Sequence, residues 1–182
     1  EVEFHLDGEA VEIFSSEGVG TMIYADEHAG VRPMRREVIP QVLRIMDPAV
    51  KKGILVPRTA EMIEERLDDF VVFEVDGLVH ACGALHRYSE GMGEIAAIAV
   101  DDSYASLGIG RRVVLYLLQK ARRLGLSRAF ALTTQTWDWF AELGFALGTV
   151  EDLPPERRGT YDRKRGSRVL VLPLSQSRGA GA

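Results

Sequence analysis

The chain has 182 residues, 46% of them hydrophobic and 27% charged, which excludes a disordered tail or a fibrous repeat and leaves room for one domain with an appendage. Its 22 lysines and arginines against 27 aspartates and glutamates give a net charge of −5, which speaks against a general nucleic-acid binder. Cys82 has no second cysteine to pair with, and no apolar run reaches the ~20 residues of a membrane span, so the expectation is a cytoplasmic protein without membrane contact.

Residues 1–6 read as a strand ending at the Asp7-Gly8 turn. Residues 10–14 form a short amphipathic piece, and Glu17-Gly18-Val19-Gly20-Thr21 is a glycine-rich turn before apolar Met22, Ile23 and Tyr24. This opening is too small to bury a core alone. From Val31 onward helix and strand alternate. Val38, Ile39, Val42, Leu43, Ile45 and Met46 predict a helix over 36–46, with Pro40 tolerable in its first turn. An extended loop over 54–58 follows, and Thr59 is placed to cap a second helix running to residue 67. Strands over 70–75 and 78–86 flank Asp76-Gly77, a pair suited to a tight hairpin, and 93–100 is a further strand. The strongest helix spans 110–124, with Val113, Val114, Leu117, Leu118 and Ala121 on one face and Gly125 at its end. A strand over 129–134, a short helix over 137–143 stopped by Gly144, and a closing strand over 168–174 complete the pattern, before a polar tail over 175–182. Together these elements predict a mixed α/β sheet flanked by helices.

Gly108-Ile109-Gly110 sits between a strand and the strongest helix, where free backbone N–H groups and a positive helix end suit a pyrophosphate; a tight turn is the plain alternative. It is neither the dinucleotide fingerprint nor a Walker A loop. His80, Cys82 and His86, at even spacing, are expected on one strand face, but no acidic cluster or H-E-x-x-H accompanies them, so no metal site is expected. Trp137 and Trp139 are expected to pack on opposite faces of their helix. Arg157, Arg158, Arg163, Lys164 and Arg168 read as solvated surface charge, interrupted by Asp162 and unsuited to nucleic acid.

The order strand, loop, Gly108-Ile109-Gly110, helix, strand, then Trp139-Phe140-Ala141-Glu142-Leu143-Gly144-Phe145 resembles the GNAT family of acetyl-CoA-dependent N-acetyltransferases. That family's pattern is Q/R-x-x-G-x-G/A, followed by an aromatic pair and a Gly-Phe. Gly53-Ile54-Leu55-Val56-Pro57-Arg58-Thr59, Gly93-Glu94-Ile95-Ala96, Leu132-Thr133-Thr134, and Tyr161 with Arg165, Ser167, Val169 and Leu170 are similar to strings in the acetyltransferase domains of bacterial N-acetylglutamate synthases. The resemblance covers residues 31–174 and implies the GNAT acyl-CoA N-acyltransferase fold, with a central mixed, partly splayed sheet. It also implies that residues 1–30 are the remnant of an amino-acid-kinase-like domain, the chain then being a fragment or a short form.

The implied activity is direct transfer of acetyl from acetyl-CoA to L-glutamate, the first step of arginine biosynthesis, without a metal. Under that resemblance Glu94 is the base and Thr133 sits near the reacting groups. The backbone of Ile98, Ala99 and Val100 meets the pantetheine arm, and Gly108, Ile109, Gly110, Arg111 and Arg112 cradle the pyrophosphate. Arg58, Arg165 and Ser167 bind the substrate carboxylates. Three positions depart from the pattern: Ala105 at the Q/R site, Phe140 where many members carry a tyrosine acid, and Gln135 where close relatives often carry arginine. By themselves the residues leave plainer readings open: Glu94 as a structural strand carboxylate, Arg58 and Arg165 as surface charge, Thr133 as a turn residue. They also leave open a GNAT enzyme for another small amino acid or amine, a silent acyl-CoA-binding regulatory module, and homo-oligomerisation.

Overall fold

The computed structural model describes residues 2–6, 9–13 and 30–174. Strand β1 (Val2–Leu6) pairs antiparallel with β2 (Glu9–Ile13). The glycine-rich segment over 17–21 and the polar tail from 175 lie outside the described residues.

Seven further strands follow: β3 (Val31–Pro33), β4 (Phe70–Val75), β5 (Leu78–Arg87), β6 (Met92–Val100), β7 (Arg128–Thr133), β8 (Ala146–Leu147) and β9 (Arg168–Pro173). They form one sheet in the order β3-β4-β5-β6-β7-β9-β8, antiparallel throughout except for the parallel pair β6–β7. The helices are α1 (Ile39–Lys51), α2 (Ala60–Glu65), α3 (Ile109–Arg123), α4 (Trp137–Glu142) and α5 (Pro155–Gly159). None among the described residues is long and apolar enough to cross a membrane.

Local chemistry accounts for most boundaries. Asp76 and Gly77 both take positive φ, 50° and 80°, as a two-residue hairpin of matching twist requires. Thr59 accepts the Met62 N–H at 3.2 Å and caps α2. Helix α1 runs beyond its expected end at residue 46: the Lys52 N–H closes on the Pro48 carbonyl at 3.1 Å, and Gly53, at φ 71°, ends the run. Helix α3 buries Val113, Val114, Leu117, Leu118 and Ala121 against Val71, Leu85, Ile95 and Ala129. Helix α1 packs Val42, Ile45 and Met46 with Phe70, Val72, Val79 and Cys82 in a second cluster. Each such buried Val, Leu or Phe contributes about 1.5–3 kcal/mol, so this double covering fixes the central strands.

Two irregularities open the sheet. Between β5 and β6 the register steps from Cys82↔Ala99 to Ala84↔Ala96, so Gly83 alone faces Ala97 and Ile98. Ala97 adopts φ 56° at this bulge, a conformation costing an L-residue about 1–2 kcal/mol, and the bulge bends β6. A Cβ at Gly83 would lie 2.6 Å from Ile98 Cδ1 and 2.7 Å from Val113 Cγ1, so the crowding demands glycine. Beyond the bend the strands part: β6 and β7 pair only where residues 92–94 face 128–130.

A second bulge corrects the expectation for the two histidines. Phe73 pairs with Ala81 and Glu74 with Val79, leaving His80 without a partner and shifting the side-chain phase of β5. Val79 and Cys82 therefore enter the same core cluster, His80 stacks on Tyr104 at 3.8 Å, and His86 pairs with Asp69.

Candidate active site

The wedge between β6 and β7 holds a cavity of about 420 Å³. Ile98 and Val100 of β6, Leu132 and Thr133 of β7, and Trp139 and Phe140 of α4 form its walls; Ala105, Gly108, Gly110 and Arg111 lie at one end. Gly108, at φ 70°, is the left-handed N-cap of α3. The Arg112 N–H donates to the Gly108 carbonyl at 3.2 Å and is spent on the helix, so this one amide drops out of the expected cradle. No acid lies in the first turn of α3. A Cβ at Gly110 would sit 3.2 Å from Val100 Cγ2 and 3.4 Å from Trp139 Cζ2, so this glycine lets the helix end approach β6 closely. Ala105 brings only a methyl group. Ala99 does not line the cavity; its side chain lies in the core cluster under α1.

Thr133 is buried and already engaged. Its Oγ1 lies 2.8 Å from Thr136 Oγ1 and accepts the N–H groups of Thr136, at 3.0 Å, and Gln135, at 3.3 Å. The hydroxyl thereby closes the turn into α4 and holds Trp139 and Phe140 against the channel. Gln135 is exposed. The expected split of the tryptophans holds: Trp139 faces the channel, while Trp137 stacks under the Arg168 guanidinium at 4.5 Å.

A second cavity, about 390 Å³, shares Ile54, Leu55, Ala96, Ala97 and Leu132 with the first, so the two meet along β6. Its polar lining is Arg58, Glu94, Arg157, Thr160, Tyr161, Asp162, Arg165 and Ser167. Glu94 is only 6% exposed. Its carboxylate accepts the Tyr88 hydroxyl at 3.1 Å and a two-pronged contact from Arg157, Nε at 3.0 Å and Nη2 at 3.4 Å. Burial, reinforced by the Glu94 charge, pushes the Tyr88 phenol up to about 12, which keeps it a donor at neutral pH.

Arg58 leans on its own loop, donating to the Val56 carbonyl at 3.2 Å; burial pulls its guanidinium down, the Glu94 charge opposes that, and it remains charged. Arg165 donates to the carbonyls of Gly53, at 3.1 Å, and Ile54, at 2.8 Å, clipping that loop over the cleft. Ser167 is buried, and its carbonyl accepts the Tyr161 hydroxyl.

Arg157 corrects the sequence reading. Expected as solvated charge, it is 21% exposed in its side chain and paired with Glu94, 63 residues away. Its nearest sequence signal is Pro154-Pro155, which starts α5 and turns Arg157 inward. Arg158, Arg163 and Lys164 are exposed as expected, Arg158 donating to the Glu151 and Leu153 carbonyls. Among the described residues no group of three or more His, Cys, Asp or Glu is arranged to hold a metal.

Comparison with known proteins agrees with this geometry. The model of the acetyltransferase (GNAT) family matches residues 41–145. An amino-acid acetyltransferase of Mannheimia succiniciproducens is 36% identical over 177 residues, covering 96% of this chain and 40% of its own length. Its counterpart in Ralstonia nicotianae is 37% identical over 175 residues, covering 95% and 39%. The chain thus spans about two fifths of the length of these curated relatives. Among solved structures, N-acetylglutamate synthase from Neisseria gonorrhoeae, complexed with coenzyme A and N-acetyl-glutamate, superposes with TM-score 0.77 and 37% identity over 80% of this chain and 35% of that one. Rv2747 from Mycobacterium tuberculosis, in complex with CoA, superposes with TM-score 0.70 and 30% identity over 80% of this chain and 99% of that one. With the splayed sheet, the glycine-capped helix and a family match over more than half its length, the chain belongs to the acetyltransferase (GNAT) family.

Proposed function

We propose that this chain transfers the acetyl group of acetyl-CoA to the α-amino group of L-glutamate, as the first step of arginine biosynthesis. The observation that carries the reading is the junction of the two cavities: an apolar channel ending on the α3 N-terminus meets a cleft with a buried carboxylate and three arginines. The amides of Ile109, Gly110 and Arg111, with the Arg111 charge, suit a pyrophosphate. The unpaired edge of β6 around Ile98, Ala99 and Val100 offers backbone hydrogen bonds to an extended amide-bearing arm. The gonococcal and mycobacterial neighbours, both complexed with coenzyme A, support this assignment.

An amino acid arrives as an ammonium and must lose a proton before its nitrogen attacks a thioester. Glu94, buried where the channel and cleft meet, is the base, directly or through one water. Arg58 and Arg165 bind the two carboxylates and Ser167 supplies a hydroxyl, a charge pattern that favours a dicarboxylate over an aliphatic or cationic side chain. Phe140 has no hydroxyl, so the departing thiolate takes its proton from water. Thr133 acts by positioning α4.

The competing reading, acyl-CoA binding without turnover, draws on the same Phe140 and on Ala105. Thiol release from acetyl-CoA separates the two. Release stimulated by L-glutamate, and little by D-glutamate, leucine or lysine, supports the proposal. Acetyl-CoA binding with no release on addition of any amino acid overturns it.

A further inference from the structure

Behind the Glu94–Arg157 pair lies a third cavity of about 250 Å³, lined by Arg58, Tyr88, Glu94 and Arg157 and, beyond them, by His86. It shares Arg58, Glu94 and Arg157 with the acceptor cleft, so the ion pair is the partition between them. His86 stands directly opposite Glu94 in the β5–β6 register, which puts their Cβ atoms about 4.5–5.5 Å apart.

The ring is firmly placed. His86 is 6% exposed, edge-on to Phe70 at 5.9 Å, and its Nδ1 lies 2.7 Å from Asp69 Oδ2. Partial burial pushes the Asp69 carboxyl up, but the hydrogen bond and charge of His86, with Arg66 and Lys120, outweigh it and hold Asp69 below its ordinary value. An ionised Asp69 makes Nδ1 the protonated nitrogen and leaves the lone pair on Nε2, which has no protein partner among the described residues.

Glu94 is poorly placed to keep a proton. Both of its oxygens accept hydrogen bonds, so a retained proton displaces a donor of Tyr88 or Arg157 and opens the partition. We propose that His86, held by Asp69, takes the substrate proton onward from Glu94, an inference that rests on the acetyl-transfer reading above. The ammonium N–H bond breaks as an O–H bond forms at Glu94. That O–H bond breaks in turn as Nε2–H forms through water in the back cavity. The imidazolium stays paired with Asp69 until the products leave, and Nε2 then gives one proton to solvent. No electrons are exchanged.

The charged and titratable groups facing the ring are Asp69 and Arg66 from the segment before β4, Tyr88 just after β5, Glu94 of β6, Arg157 of α5, and Arg58. The test is kcat and KM for L-glutamate and acetyl-CoA for the wild type, His86→Gln, His86→Ala and Asp69→Asn. His86→Gln lowers kcat by about 10²-fold and keeps KM for acetyl-CoA, and added imidazole restores rate to His86→Ala. Asp69→Asn, which removes the carboxylate that fixes the Nδ1–H tautomer, lowers kcat less and again keeps KM for acetyl-CoA. An unchanged kcat in His86→Gln overturns the proposal. So does a lowered kcat in His86→Ala without imidazole rescue, or an unchanged kcat in Asp69→Asn. A wild type that releases no thiol with any amino acid overturns this proposal together with the acetyl-transfer reading, whereas an active wild type confines failure to His86.

Discussion

The two arms of the β6–β7 wedge are built from opposite materials. The channel under α3 is walled by Ile98, Val100, Trp139 and Phe140, and its polar groups are backbone amides at a glycine-capped helix end. The cleft on the other side is a set of charged side chains held by one another and by carbonyls: Glu94 by Arg157 and Tyr88, Arg165 by Gly53 and Ile54. Under the proposed reaction, one arm selects by shape and helix polarity and the other by placed charge. Loss of a side chain therefore damages the cleft, and gain of one damages the channel.

Substitutions that strike one arm alone test this division, and the strongest effect belongs to Glu94. Glu94→Gln removes the proposed base and lowers kcat by about 10²–10⁴-fold while acetyl-CoA binding, followed by titration, stays near wild type. A parallel loss of acetyl-CoA affinity breaks the comparison. Arg157→Met leaves the Glu94 carboxylate without its two-pronged partner; a charged hydrogen bond of about 1.5–3 kcal/mol corresponds to a 10–100-fold fall in kcat/KM for glutamate, with KM for acetyl-CoA unchanged. The smallest effect falls on the other arm. Gly110→Val places methyl groups against Val100 and Trp139 and weakens acetyl-CoA binding about 10-fold, a modest overpacking penalty, without changing KM for glutamate.

The same division decides what the sequence makes legible. The channel's signal is local: Gly108 and Gly110 lie two residues apart at the start of the longest helix among the described residues, so both the helix and its proposed anion-binding end can be read directly. Its limits are local too, since only geometry shows that the Arg112 amide is spent and that Ala99 faces the α1 core. The cleft's signal is dispersed. Glu94 and Arg157 are 63 residues apart, and Arg165 reaches back across 112 residues to Gly53, so no spacing rule links them. Glu94, Arg58 and Arg165 stand out only through family-like strings, and Arg157, in a run of ordinary charges, does not stand out at all. The bulges are equally silent: an alanine at φ 56° and an unpaired His80 carry none of the glycine or proline marks that announce such turns.

The central claim is that channel and cleft meet at one reacting point beside Glu94. A conjugate in which the sulfur of CoA is joined through an acetyl methylene to the amino nitrogen of L-glutamate occupies both arms at once, and calorimetric titration of this single compound is the most direct test. The account predicts binding at least 10²-fold tighter than CoA alone, with the gain lost when D-glutamate replaces L-glutamate, since linking converts the second binding event into an intramolecular one. Affinity no better than that of CoA itself would show that the cleft beside Glu94 does not receive the amino acid.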